Sequence, residues 1–186
     1  MPAAPLSQLQ FRHPWRPYQA RVLQELEAHL ADRRLHVIAA PGSGKTVLGL
    51  EVVRRLGEPA LILSPTRTIR NQWEERLVQL FLPADSPTPA WTSLDIRTPG
   101  PLTSATYQAL HCALVGAPPE DDEAVANDEA PSGGRDERPC SSAEASLADN
   151  AASRPADDTY PGQAALVQAL KAACVAVLVL DECHHL

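Results

Sequence analysis

Apolar positions recur along this chain in two alternating rhythms. Val22, Leu23, Leu26 and Leu30 repeat at spacings of one, three and four, which marks one face of a helix. Pro17-Tyr18-Gln19 opens that helix, with the proline in the first turn, where its missing N–H costs nothing. Residues 35–40 form an apolar run, His36 apart, that ends in a glycine-rich turn and predicts a strand. Residues 45–56 return to helical spacing, with Gly57 placed to end the helix. Residues 60–63 predict a second strand. Residues 66–81 predict a further helix, with Ile69, Trp73, Leu77 and Leu80 on one face. Trp73 lies on this apolar stripe, which makes it a core residue rather than a platform for stacked bases.

Pro83, Pro87 and Pro89 then interrupt the pattern. Residues 94–97 and 102–104 are weaker strand candidates, and 105–115 predict a helix. A helix over 163–173 precedes a continuous apolar strand over 175–180, the pattern of a strand covered on both faces. Strands alternating with helices predict an α/β fold, a parallel sheet flanked by helices. Residues 1–14 read as a flexible lead-in and 15–186 as one domain, the scale expected for 186 residues.

Composition changes the picture in one place. The formal net charge is −7, yet residues 117–159 alone carry 12 acidic and 3 basic side chains, so the remainder is slightly positive. The acidic balance therefore does not argue against an anionic partner. The same segment is rich in Ala, Asp, Glu, Ser and Pro and poor in large apolar residues. It cannot bury enough surface to offset its ordering entropy and is predicted to be a disordered acidic insertion. It reads as a tolerated spacer in preference to an acidic competitor for a basic surface. The four cysteines form no C-x-x-C pair, which fits a reducing, cytoplasmic setting. No apolar run approaches the roughly 18 residues of a membrane span, so no membrane association is expected.

Two short segments carry chemistry. Ala39-Ala40-Pro41-Gly42-Ser43-Gly44-Lys45-Thr46 lies between a predicted strand and a predicted helix. Gly42 and Gly44 let backbone N–H groups turn toward anionic oxygens, Lys45 supplies charge for the β/γ-phosphates, and Thr46 offers a hydroxyl to Mg²⁺. All stand at the positive end of a helix. The strict pattern begins with glycine, and here that position is Ala39. Asp181 and Glu182 follow the last strand. Asp181 is assigned to Mg²⁺ and Glu182 to the attacking water of a phosphoryl transfer. Cys183, His184 and His185 have no spacing that suits a structural zinc site.

With these residues in place, the chain resembles the first RecA-like lobe of superfamily-2 DEAD/DEAH-type helicases, in particular the type III restriction/UvrB-type group. Five segments occur in that family's order. Arg16-Pro17-Tyr18-Gln19 resembles the adenine-recognition segment, and residues 39–46 resemble motif I. Leu63-Ser64-Pro65-Thr66-Arg67 resembles motif Ia, with Gln72-Trp73 following. Thr103-Ser104-Ala105-Thr106-Tyr107-Gln108 resembles motif Ib/Ic, and Asp181-Glu182-Cys183-His184 resembles motif II.

The resemblance implies a P-loop, RecA-like fold and an ATP-dependent helicase or translocase. ATP and Mg²⁺ would be its cofactors, and nucleic acid, with DNA favoured over RNA, its partner. It implies that Arg16, Gln19, Pro41, Gly42, Ser43, Gly44, Lys45 and Thr46 bind nucleotide, and that Thr46 and Asp181 hold the metal. Lys45, Asp181 and Glu182 would be catalytic. Pro65, Thr66, Arg67, Thr103 and Tyr107 would line the nucleic-acid track. Gln19 and Arg67 also admit a plainer reading as solvated helix residues.

In that family a further strand follows motif II, and a second lobe brings arginine fingers. Neither is in the 186 residues. The expectation is a sheet with an empty position, a marginally stable chain and negligible hydrolysis by the chain alone, with the second lobe supplied elsewhere. The alternatives are an inactive, truncated P-loop binding module or a non-helicase P-loop kinase or ATPase.

Overall fold

The computed structural model describes residues 5–32, 34–40, 42–118 and 160–182. The elements are helix α1 (Pro17–Glu27), α2 (Lys45–Leu56), strand β1 (Ala60–Ser64), α3 (Arg67–Phe81), β2 (Thr92–Ser93), β3 (Leu102–Thr106), α4 (Tyr107–Val115), α5 (Gln163–Ala172) and β4 (Val177–Leu180). The four strands form one parallel sheet in the order β2-β3-β1-β4. β1 lies inside the sheet, with Ala60 opposite both Leu102 of β3 and Val177 of β4. The fold is the α/β architecture that the alternating pattern predicted.

Every residue of β1 is buried because helices cover both faces of the sheet. Ala60 and Ile62 pack on one side with Leu50 and Val53 of α2 and Trp73, Leu77 and Phe81 of α3. Leu61 and Leu63 point to the other side, against Ile96, Ala105, Ala113 and Leu166. The helix ends follow capping chemistry. The Thr66 hydroxyl accepts from the Ile69 N–H at the start of α3, and the Thr106 hydroxyl accepts from the Ala109 N–H at the start of α4. Gly57 ends α2 in the left-handed region, its N–H on the Val53 carbonyl.

Several local expectations are corrected. Residues 35–40 belong to no helix or ladder, and Ile38 is 87% exposed. An apolar run becomes a strand only when a neighbour satisfies its backbone groups. Among the described residues, no strand pairs with the second edge of β4, and Leu178 and Leu180 are exposed there. Residues 94–97 turn instead of extending. The Asp95 carboxylate accepts from the Arg97 N–H, and the Ser93 hydroxyl accepts from the Asp95 N–H, the local bonding that favours turns. Ile96 is buried nonetheless.

The expected unanchored lead-in over 1–14 does not hold for Leu6 and Leu9, which are buried in the α2/α3 core. Arg12 donates from its backbone to the Leu80 carbonyl and from its guanidinium to that of Leu82. Phe11 stacks on Trp15 and leans on Phe81. The predicted insertion over 117–159 lies almost wholly outside the described residues. No described helix is long and apolar enough to cross a membrane.

A charge network centred on the buried Glu51 carboxylate ties α2 to α1. Both Glu51 carboxylate oxygens accept from Arg54 at 2.8 Å, and one also accepts from Arg55 at 2.9 Å. Arg55 reaches on to Glu27 and to the Leu23 carbonyl in α1. Burial is the largest influence on the Glu51 carboxyl and pushes its pKa up. The hydrogen bonds and charges of Arg54 and Arg55 together outweigh it and hold the pKa below the ordinary value of 4.5.

Two predictions follow from this packing. Folded Glu51 binds its proton more weakly than unfolded Glu51, so its stabilising contribution is present above pH 4.5 and disappears as pH falls through the depressed native value. Urea midpoints measured from pH 6 downward should fall in this acid window more steeply for the native chain than for Glu51→Gln; parallel slopes would refute it. In the middle of α2, a Cβ added at Gly49 would lie 2.5 Å from the Trp73 ring. Gly49→Ala should therefore destabilise the chain by about 1–3 kcal/mol, the usual cost of overpacking, read as a lower urea midpoint.

Candidate active site

The phosphate-cradle segment folds as its glycines require. Gly42 and Gly44 have φ of +72° and +88°, in the left-handed region that glycine enters without penalty. Gly44 caps α2, and a Cβ on it would meet Gln19 Nε2 at 2.7 Å. Lys45 and Thr46 begin the helix behind this turn, where the helix dipole favours anions. The Ser43 hydroxyl is buried with no partner among the described residues, a polar group with unused hydrogen-bonding capacity. Pro41 lies outside the described residues.

Gln19 is buried and bonded at both ends of its amide. Its Oε1 accepts from the Arg16 N–H at 3.2 Å, and its Nε2 donates to the Ser43 carbonyl at 3.3 Å. The segment expected to read adenine is thereby tied to the cradle. Between them opens a cleft of about 470 Å³, whose lining includes Arg16, Tyr18, Val22, Ile38, Ser43 and Leu48. The Tyr18 hydroxyl is also buried without a partner among the described residues.

The acidic pair arrives from the far end of the chain. Asp181 continues the β4–β1 ladder, its N–H on the Leu63 carbonyl at 2.9 Å. Its Oδ2 accepts from Trp73 Nε1–H at 2.9 Å, and its carbonyl accepts from the Tyr107 hydroxyl at 3.0 Å. Lys45 Nζ donates to Glu182 Oε1 at 2.7 Å, with the two side chains 31% and 25% exposed. Glu182 has φ of +52°, a conformation costing a bulky residue on the order of 1–3 kcal/mol and found where the surroundings over-determine it. The oxygens of Thr46 and Asp181 suit a hard divalent cation. No described group of three or more His, Cys, Asp or Glu forms a metal cage, so such a cation would take most ligands from phosphate and water.

The residues expected along a nucleic-acid track separate in the structure. Pro65 and Thr66 join β1 to α3, and Arg67 is the first residue of that helix. Thr103, by contrast, is fully buried, its hydroxyl held by the Gly100 N–H and carbonyl. It is a strand residue and not a surface contact. Tyr107 spends its hydroxyl on Asp181. The Trp73–Asp181 and Lys45–Glu182 contacts span 108 and 137 positions and leave no local mark. Gly49, a glycine inside a helix, marks only the close approach of the Trp73 ring to α2 and not its bond to Asp181.

A parallel sheet with a glycine turn, Lys and Thr at a helix start, and an acidic pair at the tip of a neighbouring strand defines a P-loop, RecA-like lobe. The chain belongs to the family described as "Type III restriction enzyme, res subunit", which it matches over residues 12–186, and is thus a superfamily-2 helicase N-terminal lobe. It is 36% identical over 93 residues to the putative helicase 055L of Frog virus 3 (isolate Goorha), a match covering 46% of this chain and 21% of that protein. It is 36% identical over 61 residues to the UvrABC system protein B of Nitratidesulfovibrio vulgaris (strain DSM 19637 / Miyazaki F), covering 33% and 9% respectively. The matches thus span about a fifth or less of these relatives' lengths.

The Lys45–Glu182 ion pair is partly exposed, so its strength is bounded. A double-mutant cycle of Lys45→Met and Glu182→Gln in urea should give a coupling of about 0.2–1 kcal/mol, smaller in 0.5 M salt. A coupling of zero would mean the pair does not form in solution.

Proposed function

We propose that this chain is the ATP-binding lobe of an ATP-dependent helicase or translocase, moving on nucleic acid with DNA favoured over RNA. The observation that carries the reading is the contact of Lys45 with Glu182 at 2.7 Å. It puts the phosphate cradle and the acidic pair at the same end of the sheet, although 137 positions separate them. In open parallel sheets, ligands bind beyond the carboxyl ends of the strands.

On this reading the backbone at Gly42–Lys45 cradles the phosphates, and the cleft beside Arg16, Tyr18 and Gln19 receives the base. Thr46 and Asp181 hold Mg²⁺, which when bound neutralises charge on the phosphate oxygens. Glu182 leaves Lys45 when nucleotide enters: Lys45 then pairs with phosphate, and the freed carboxylate orients the attacking water. Pro65, Thr66 and Arg67, at the start of α3, contact the nucleic-acid backbone without reading sequence. The Tyr107 hydroxyl is engaged by the Asp181 carbonyl, so the backbone contact is proposed for Pro65, Thr66 and Arg67. A second RecA-like lobe, on further sequence or on a partner chain, supplies an arginine finger, worth about 10³–10⁵ in rate in related phosphoryl transfers. The names of the two relatives, a putative helicase and a UvrABC system protein, fit this assignment. The protein works in the cytoplasm, where its cysteines stay reduced.

A fluorescent ATP analogue titrated with Mg²⁺ tests the reading. The native chain should bind it, and Lys45→Ala should weaken binding at least about tenfold, the equivalent of ~1.4 kcal/mol. Equal affinities, or an affinity unaffected by competing ATP, would refute the proposal.

A further inference from the structure

Trp73 is the middle residue of a chain of contacts that runs from Gly49 of the P-loop helix to Asp181. Its side chain is 3% exposed and rests on α2 at Gly49, where even one added carbon would fall 2.5 Å from the ring. α3 fixes its backbone and the α2/α3 core fixes its ring. An indole offers a single donor and no acceptor, and a buried one usually finds a partner for its N–H. Here that partner is Asp181 Oδ2, at 2.9 Å. The bond runs from a neutral donor to a carboxylate, and such charge-assisted bonds are the stronger and more directional kind.

Asp181 needs this support. It stands just past the end of β4, and its side chain has two rotatable bonds. The backbone is pinned by the Leu63 carbonyl on its N–H and by the Tyr107 hydroxyl on its carbonyl. Among the described residues, the indole alone bonds the carboxylate itself, and it does so through one oxygen.

We propose that Trp73 is a positioning residue for the metal-binding carboxylate: by holding Asp181 Oδ2 it orients Oδ1 for the divalent cation of the nucleotide complex. The proposal rests on the reading of Asp181 as a Mg²⁺ ligand. It assigns Trp73 a role that its place on the apolar stripe of α3 does not require, since a phenylalanine would fill a core without donating.

The test separates donor from bulk. Trp73 is replaced in the full chain by benzothienylalanine, which puts sulfur where the indole has N–H and keeps the two-ring shape. Binding of a fluorescent ADP is measured in EDTA and across a Mg²⁺ titration. The metal-free affinity should stay within about twofold, while the Mg²⁺ concentration for half-effect rises about 10–100-fold, as for other partners of metal ligands. An unchanged Mg²⁺ requirement would overturn the proposal.

Asp181→Asn distinguishes the levels of the argument. If it abolishes the Mg²⁺ effect while the isostere does not, the positioning role alone fails. If the native chain binds ADP with no Mg²⁺ effect, or Asp181→Asn keeps it, the metal-site reading fails and the proposal with it. A measurement on the native ring guards against a misfolded variant. The Trp73 Nε1–H NMR signal, assigned by elimination with Trp15→Phe and Trp91→Phe, should shift with Mg–ADP and stay in place with ADP in EDTA. A signal indifferent to the metal would also overturn the role.

Discussion

The parallel pairing of β4 with β1 is the constraint on which the site depends. Val177 to Leu180 run beside Ala60 to Leu63, and the ladder ends with the Asp181 N–H on the Leu63 carbonyl. That register decides where the acidic pair emerges. A one-residue slip would turn Asp181 to the opposite face of the sheet and take it away from Trp73. It would also take Glu182 away from Lys45. β1 is itself held from both sides and fully buried, so β4 docks on the most strongly determined part of the core. The long crossover between β3 and β4 therefore does not have to specify the site, because the register does.

Around that ladder, close approach is purchased with glycine at two places. Gly44 turns the cradle over the Gln19 amide, and Gly49 lets the Trp73 ring settle on α2. The two approaches have different consequences. The first ties α1 to the phosphate turn through Gln19 and Ser43. The second brings a buried donor within reach of Asp181. α1 is fixed a second time by the Glu51–Arg55–Glu27 network, so the helix that lines the cleft with Tyr18 and Val22 is held by hydrogen bonds at one end and by charge further along. A further side, residues 37–40, belongs to no helix or strand and is largely exposed.

What was legible in the sequence was what local periodicity and local chemistry record. α2, β1 and α3 follow from apolar spacing and from Gly57. The roles expected of Gly42, Gly44, Lys45 and Asp181 follow from residue types next to predicted element ends. β3 was harder to read because Thr103, Ser104 and Thr106 are polar yet buried. The hydroxyls of Thr103 and Thr106 are satisfied locally by Gly100 and Ala109, whereas that of Ser104 donates to the Arg70 carbonyl, 34 positions away and outside any window of the sequence. Residues 35–40 misled in the opposite sense, since apolar composition says nothing about whether a ladder partner is present. Leu6 and Leu9 were hidden among prolines and polar residues, although their burial on α2 and α3 anchors the N-terminal segment. The contacts of Trp73 and Glu182 lie beyond any local rule.

The central claim is that the cradle and the acidic pair form one site. The most direct measurement is a crystal structure of the chain with Mg²⁺ and a non-hydrolysable ATP analogue. The account predicts phosphates on the Gly42–Lys45 backbone, Mg²⁺ between Thr46 and Asp181, and Glu182 released from Lys45. A nucleotide bound elsewhere, or one bound on the cradle with the Lys45–Glu182 pair intact and Asp181 away from the metal, would contradict it.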